Sequence, residues 1–179
     1  MNIEKSLNLH EKWMKGETGG KCADFTGVKL DGRNFKGANL KGAIFTSATL
    51  YNVSFENANL EDTSFTGAKF DSINFKGANL EGADFTYTEI DCVSFENANL
   101  EGVDFIGSEI YSVSFKGANL ENTDFICAEI DGTNFENANL KNADFKFAEI
   151  AEIECVSFEN ANLEDTKINY KYANEFFKS

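Results

Sequence analysis

The chain has no proline, one histidine, one arginine and one tryptophan. Its four cysteines, Cys22, Cys92, Cys127 and Cys155, form no C-x-x-C pair, and His10 is far from all of them in sequence. That spacing supports neither a zinc site nor a disulfide framework, so four reduced thiols are expected. No stretch of 18 apolar residues occurs, which excludes a membrane-spanning helix. The first residues, MNIEKSLNLHEKWMKG, carry charge through their apolar positions and lack the unbroken core of a signal peptide, so a cytoplasmic location is expected. Basic residues are also scarce: Lys and Arg total 16 against 30 Asp and Glu, a net charge of −14 in 179 residues. Such a chain repels phosphates, which argues against direct nucleic acid binding and is compatible with a basic protein partner.

What the chain has in abundance is repetition. FENANLE stands at Phe55–Glu61, Phe95–Glu101 and Phe158–Glu164, and FKGANL at Phe35, Phe75 and Phe115. From Phe25 to Ile150 every fifth residue is Phe, Leu or Ile, giving 26 units; Phe158, Leu163 and Ile168 add three after a shift of frame. Two residues before each large one the side chain is usually small or β-branched, as at Ala38, Ala58, Val53 and Val93. A period of five fits neither an α-helix nor a flat strand. It requires a corner in every unit, and Gly37 or Asn57, two residues after the large one, suits a corner. The ANL units recur every 20 residues from Leu40 to Leu140, so four units close one coil. Coils stacked at the strand spacing of about 4.8 Å would make a rod roughly 34 Å long. Lys36, Glu56, Lys76, Glu96, Lys116 and Glu136 alternate in sign at separations of 20, as vertical neighbours should.

The units ADFTG, GANLE and NANLE resemble the pentapeptide-repeat proteins, over about Lys21–Asn169. The resemblance implies an all-β fold: a right-handed quadrilateral β-helix of about seven coils of four pentapeptides, with the Phe/Leu and Ala positions inside. Residues 1–20 are read as an N-terminal capping helix and linker, because Ile3, Leu7, His10 and Met14 share one face and Gly16 follows. Residues 21–169 form the solenoid. Residues 170–179 carry Tyr170, Tyr172, Phe176 and Phe177, an aromatic C-terminal cap or a pairing surface for a second chain, since some relatives dimerise at this end. The doubled AEI of Ala148–Ile153 should bulge at one corner and leave later coils in register. Arg33 occupies a small-residue position, and is expected to reach toward the N-terminal cap and pair there.

The inside is spent on packing, so function is sought outside. Asp84, Asp104, Asp124 and Asp144 form one acidic column, and Glu89, Glu109, Glu129 and Glu149 a second, where the earlier coils have Lys29, Thr49 and Lys69. Between them stand Tyr87, Ile106, Ile126 and Phe147, at positions polar elsewhere. An exposed apolar strip with a polar rim marks a protein contact, although single exposed apolar residues are ordinary and corner carboxylates can bond to backbone amides. No Ser-His-Asp set, phosphate-binding glycine loop or cofactor motif is present, and a filled solenoid offers no pocket, so neither catalysis nor a metal is expected. Two readings follow. One is a protein-interaction scaffold with an unknown partner. The other is an acidic mimic of DNA that binds a DNA-processing enzyme such as DNA gyrase, as some members of the family do.

Overall fold

Hydrogen bonding between coils sets the architecture. The amide of Phe25 donates to Ile44 O at 2.7 Å, and the amide of Ile44 returns to Ala23 O at 2.9 Å; the same exchange recurs at Leu40 and Asn59, and at Phe45 and Ser64. Corners such as those after Phe25 and after Leu40 of the ANL wall close with an i→i+3 turn, Val28 N to Phe25 O at 3.0 Å and Ala43 N to Leu40 O at 2.9 Å. The computed structural model describes residues 2–150 and 156–168. Helix α1, Ile3–Met14, is followed by β1 (Lys29–Asp31), β2 (Thr49–Tyr51), β3 (Lys69–Asp71), β4 (Glu89–Asp91), β5 (Glu109–Tyr111), β6 (Glu129–Asp131), β7 (Asp144–Phe145), β8 (Glu149–Ile150) and β9 (Lys167–Ile168). Strands β1 to β6 and β8 make one parallel sheet in which every neighbour is offset by 20 residues, Lys29 beside Thr49 and Leu50 beside Phe70. The other three walls are held by single parallel bridges, and β7 pairs with β9. This is a parallel β-solenoid of about seven four-sided coils.

Two opposed phenylalanine columns fill it. One runs Phe25, Phe45 and on to Phe145, the other Phe35, Phe55 and on to Phe158, with centroids 4.5–5.1 Å apart within a column. Between columns the rings meet edge to face at 5.7–6.4 Å. Such pairs contribute about 0.5–1.5 kcal/mol each beyond burial. Hydroxyls at small-residue positions stay satisfied: buried Thr63 donates to Leu40 O at 3.1 Å and buried Thr123 to Leu100 O at 3.0 Å.

On the wall of Leu40 to Leu163 the preceding residue is always asparagine. Asn59, Asn79, Asn99, Asn119, Asn139 and Asn162 each donate their Nδ2 to the Oδ1 of the asparagine one coil earlier, at 2.9–3.4 Å. Each Oδ1 from Asn39 to Asn139 also accepts the amide two residues on, as from Lys41 at 3.4 Å and Glu101 at 3.4 Å. The asparagine of ANL therefore closes a corner and ties two coils together.

The alternation of FKG and FEN has two causes. Lys36 pairs with Glu56 at 2.9 Å, Lys76 with Glu96 at 3.1 Å and Lys116 with Glu136 at 2.8 Å, so the expected charge neighbours meet, as separate pairs. Space is the other cause. A β-carbon on Gly77 would lie 2.5 Å from Asn57 Oδ1, and one on Gly117 would lie 2.6 Å from Asn97 Oδ1. Asn57 and Asn97 thus each lie over the glycine of the following coil.

At the first coil Asn2 caps α1 by accepting the Lys5 amide at 3.0 Å. Ile3 and Leu7 pack against the core, and His10 is buried, as its apolar-face position suggested. Gly20 permits the return of the chain: a β-carbon there would sit 2.3 Å from Trp13 N. Arg33 departs from expectation. It is exposed, and among the described residues it forms no ion pair with α1. The first coil has no coil before it, so Val28 and Ala38, the small positions on either side, are only half-buried, and a long side chain at the same level swings into water. After Ile150 the offset becomes 23: Asn134 bridges Ser157, and Asn139 bridges Asn162. Register thus survives the doubled AEI, while Ala151–Ile153 themselves, Cys155, and the aromatic tail with its expected cap or dimer contact lie outside the described residues.

Candidate protein-contact surface

The Asp column faces outward beside the first phenylalanine wall, and its carboxylates are half-buried. Each Oδ1 accepts the amide two residues on: Thr86 at 2.8 Å for Asp84, Ile106 at 2.9 Å for Asp104, Ile126 at 2.8 Å for Asp124 and Lys146 at 3.0 Å for Asp144. These aspartates build corners, as the alternative reading of the column allows. They differ in what else reaches them. Burial works against ionisation of Asp84, but Thr66 Oγ1 at 2.6 Å, Thr86 Oγ1 and the Thr86 amide outweigh it, and its pKa falls below the ordinary value. At Asp104 burial dominates, one amide opposes it, and the charges of Asp124 and Asp84 add to it, so its pKa is raised. The difference lies in one column. Thr26, Thr46, Thr66 and Thr86 supply hydroxyls there in the earlier coils, and Ile106 and Ile126 supply none. Asp144 instead has cations, Lys146 at 3.5 Å and Lys167 at 3.3 Å.

Tyr87, Gly107, Cys127 and Phe147 occupy the corner itself, one above another, all with positive φ. Tyr87 and Phe147 are each 69% exposed. The Tyr87 ring lies over Gly107, where a β-carbon would come within 2.7 Å of Tyr87 Cε1. Ile106 and Ile126 are half-buried beside them. The structure thus brings the four apolar side chains to one edge. Cys127, an exposed thiol in the same column, belongs with them; its position 20 residues from Gly107 is the signal that places it there.

Beyond the corner, Glu89, Glu109, Glu129 and Glu149 stand in register on β4, β5, β6 and β8, all exposed. Glu89 is paired with Lys69 of the previous coil, and Glu129 accepts the Tyr111 hydroxyl at 3.0 Å. That bond is the chief reason the Tyr111 pKa is pushed up to about 12. A third acidic column escaped the sequence reading: Glu61, Glu81, Glu101 and Glu121 follow the leucines of the asparagine wall, written plainly in the last letter of ANLE. Charge is consequently concentrated. Residues 77–140 contain thirteen Asp and Glu against one cation, Lys116, a net charge of −12. Lys116 is paired with Glu136 on the wall of alternating charge, so the other three walls present carboxylates alone over this length.

A parallel solenoid of five-residue sides defines a class of repeat protein, and comparison with known proteins places the chain within it. The model of the pentapeptide repeat region matches residues 21–95 and 88–168. The chain belongs to the pentapeptide-repeat family. Its fold is similar to that of a trypsin-treated variant of QnrB1, a plasmid-mediated fluoroquinolone resistance protein, at 18% identity over 88% of this chain and 92% of that one, with a TM-score of 0.58. Full-length QnrB1 gives 20% identity, 88% and 84% coverage and a TM-score of 0.55. HetL from Nostoc sp. strain PCC 7120, involved in heterocyst differentiation regulation, gives 16% identity, 88% and 92% coverage and a TM-score of 0.35. No curated protein matches the chain.

Proposed function

We propose that the protein is a non-enzymatic interaction scaffold whose partner docks along the corner from Tyr87 to Phe147, between the Asp and Glu columns. The observation that carries this reading is the exchange of Thr for Ile at positions 106 and 126. It removes hydroxyl donors from half-buried Asp104 and Asp124 and places apolar side chains beside an exposed tyrosine and phenylalanine. A change that is unfavourable for the corner and favourable for a contact points to a contact. The partner is a protein with an apolar ridge flanked by basic residues. Location in the cytoplasm and a homodimer through residues 170–179 complete the proposal; among the described residues no helix is long and apolar enough to cross a membrane. Returning both positions to the earlier pattern, Ile106→Thr with Ile126→Thr, tests it. The variant should fold at least as stably and no longer capture the protein partners that immobilised wild type captures; an unchanged partner set would refute the corner as the contact.

A second reading is favoured by the charge concentration. Twelve net charges over roughly 15 Å of rod give about one per 1.3 Å, denser than duplex DNA at about 1.7 Å. The protein then occupies the DNA channel of an enzyme such as DNA gyrase. Purified protein at micromolar concentration should inhibit supercoiling in a gyrase assay, and no effect would remove this reading.

A further inference from the structure

The outer face of the seven-stranded sheet carries a trough, with a cavity volume of about 540 Å³, that runs along the rod from β2 to β5. Its floor is the backbone over buried Leu50, Phe70 and Ile90. One wall passes from Thr49 through the Lys69–Glu89 ion pair to Glu109. The other holds Asp71 and Asp91 between two tyrosines, Tyr51 and Tyr111. Tyr51 is 51% exposed at the upper end. At the lower end Tyr111 crosses to Glu129 and closes the trough with its hydroxyl. The tyrosines are three coils apart, about 14 Å.

We propose that this trough binds an extended arginine-rich segment of a protein partner. The charge is complementary. Asp71 accepts the Ser72 hydroxyl at 2.7 Å, a neutral donor that leaves its charge in place, and Asp91 stands beside Asp71 in register. Among the described residues, neither they nor Glu109 have an ion-pair partner, and Lys69, the trough's one cation, is already paired. A tyrosine at each end offers a ring face on which a guanidinium stacks, while its fork bonds to a carboxylate in two places. Ammonium groups lack both features, so arginine is preferred to lysine. The length agrees as well: four extended residues span about 13–14 Å. The proposal stands apart from the corner contact, sharing with it only the column of Glu89 and Glu109.

The test uses the full chain and an acetylated, amidated tetra-arginine peptide, with tetra-lysine as comparison. Asp71→Asn with Asp91→Asn should weaken tetra-arginine binding by tenfold or more. Glu81→Gln with Glu101→Gln removes the same charge from a different wall and should change it by less than about twofold. Tyr51→Ala should weaken it about two- to fivefold, the range of one exposed cation–π contact. Equal weakening by the two double variants would show a diffuse field and overturn the proposal, as would equal affinity for tetra-lysine or no binding by the wild type. Ile106→Thr with Ile126→Thr should leave tetra-arginine binding unchanged, so that failure of the corner contact and failure of the trough are read separately.

Discussion

Asn97 Oδ1 occupies the space into which a β-carbon on Gly117 would project, 2.6 Å away. Gly117 also has a φ of +66°, whereas a β-carbon on Gly102, at +65°, would meet nothing within 4 Å among the described residues. The two glycines separate backbone strain from crowding. Gly102→Ala should cost about 1–2 kcal/mol, the penalty of a left-handed alanine. Gly117→Ala should cost more, and Asn97→Gly in the same chain should return the excess. Denaturant midpoints of the four proteins check this; equal losses at Gly102 and Gly117 would mean that the asparagine moves aside freely.

Asn99 donates to Asn79 at 3.0 Å, accepts from Asn119 at 3.0 Å and accepts the Glu101 amide. Asn99→Ala should cost about 1–3 kcal/mol, because half-buried partners are left unmade on both sides. Asn99→Asp keeps the shape but sets an acceptor against Asn79 Oδ1. It should be at least as damaging at neutral pH and should recover as the new carboxyl protonates. A stability profile against pH for the two variants distinguishes them.

His10 lies buried between α1 and the first coil. Its Nδ1 accepts the Ala23 amide at 3.1 Å, its Nε2 is buried with no partner among the described residues, and its ring stacks on Trp13 at 5.4 Å. Burial lowers its pKa below the ordinary 6.5. The unfolded chain therefore takes up the proton first, and stability conferred by the neutral ring is present above 6.5 and declines as pH falls through 6.5 toward the folded value. Fluorescence of Trp13, the single tryptophan, should report loosening of α1 in that window. His10→Phe should flatten the profile; an unchanged profile would assign the transition to other groups.

Asp104 has its pKa raised, first by burial and then, against one amide bond, by the charges of Asp124 and Asp84. The folded chain takes up that proton before the unfolded one, so this group adds stability as pH falls from the raised value toward the ordinary 3.8. Ile106→Thr supplies a hydroxyl in the arrangement that Thr86 makes with Asp84, and should bring the Asp104 pKa down. Carbon-13 titration of the carboxyl measures both values, and an unmoved Asp104 would contradict the role given to the threonine column.

The period of five with a closure of twenty was legible because each large residue repeats without a gap and packing punishes any exception. Charge neighbours 20 apart were legible for the same reason. The fate of Arg33 was not, because it depends on the first coil lacking a predecessor, an end effect that a repeating pattern does not display. The candidate corner was legible as composition, since Tyr87, Ile106, Ile126 and Phe147 break a polar rule. What distinguishes Asp84 from Asp104 was hidden, because it is decided by hydroxyls one coil away and two residues along. The trough between Tyr51 and Tyr111 was hidden too: its two ends are written 60 residues apart and come into line only through the stacking.

The pairing of Asn97 over Gly117, and of Lys116 with Glu136, makes the natural module of this rod two coils rather than one. Duplicating or deleting twenty residues would set asparagine upon asparagine and carboxylate upon carboxylate on the wall of alternating charge, whereas a block of forty preserves its vertical matches. On that wall the single place where like follows like, Glu136 and Asn137 above Glu159 and Asn160, coincides with the three-residue insertion. Growth and shortening of such a chain through recombination would thus proceed in even counts of coils, with departures confined to seams where the spacing itself has slipped.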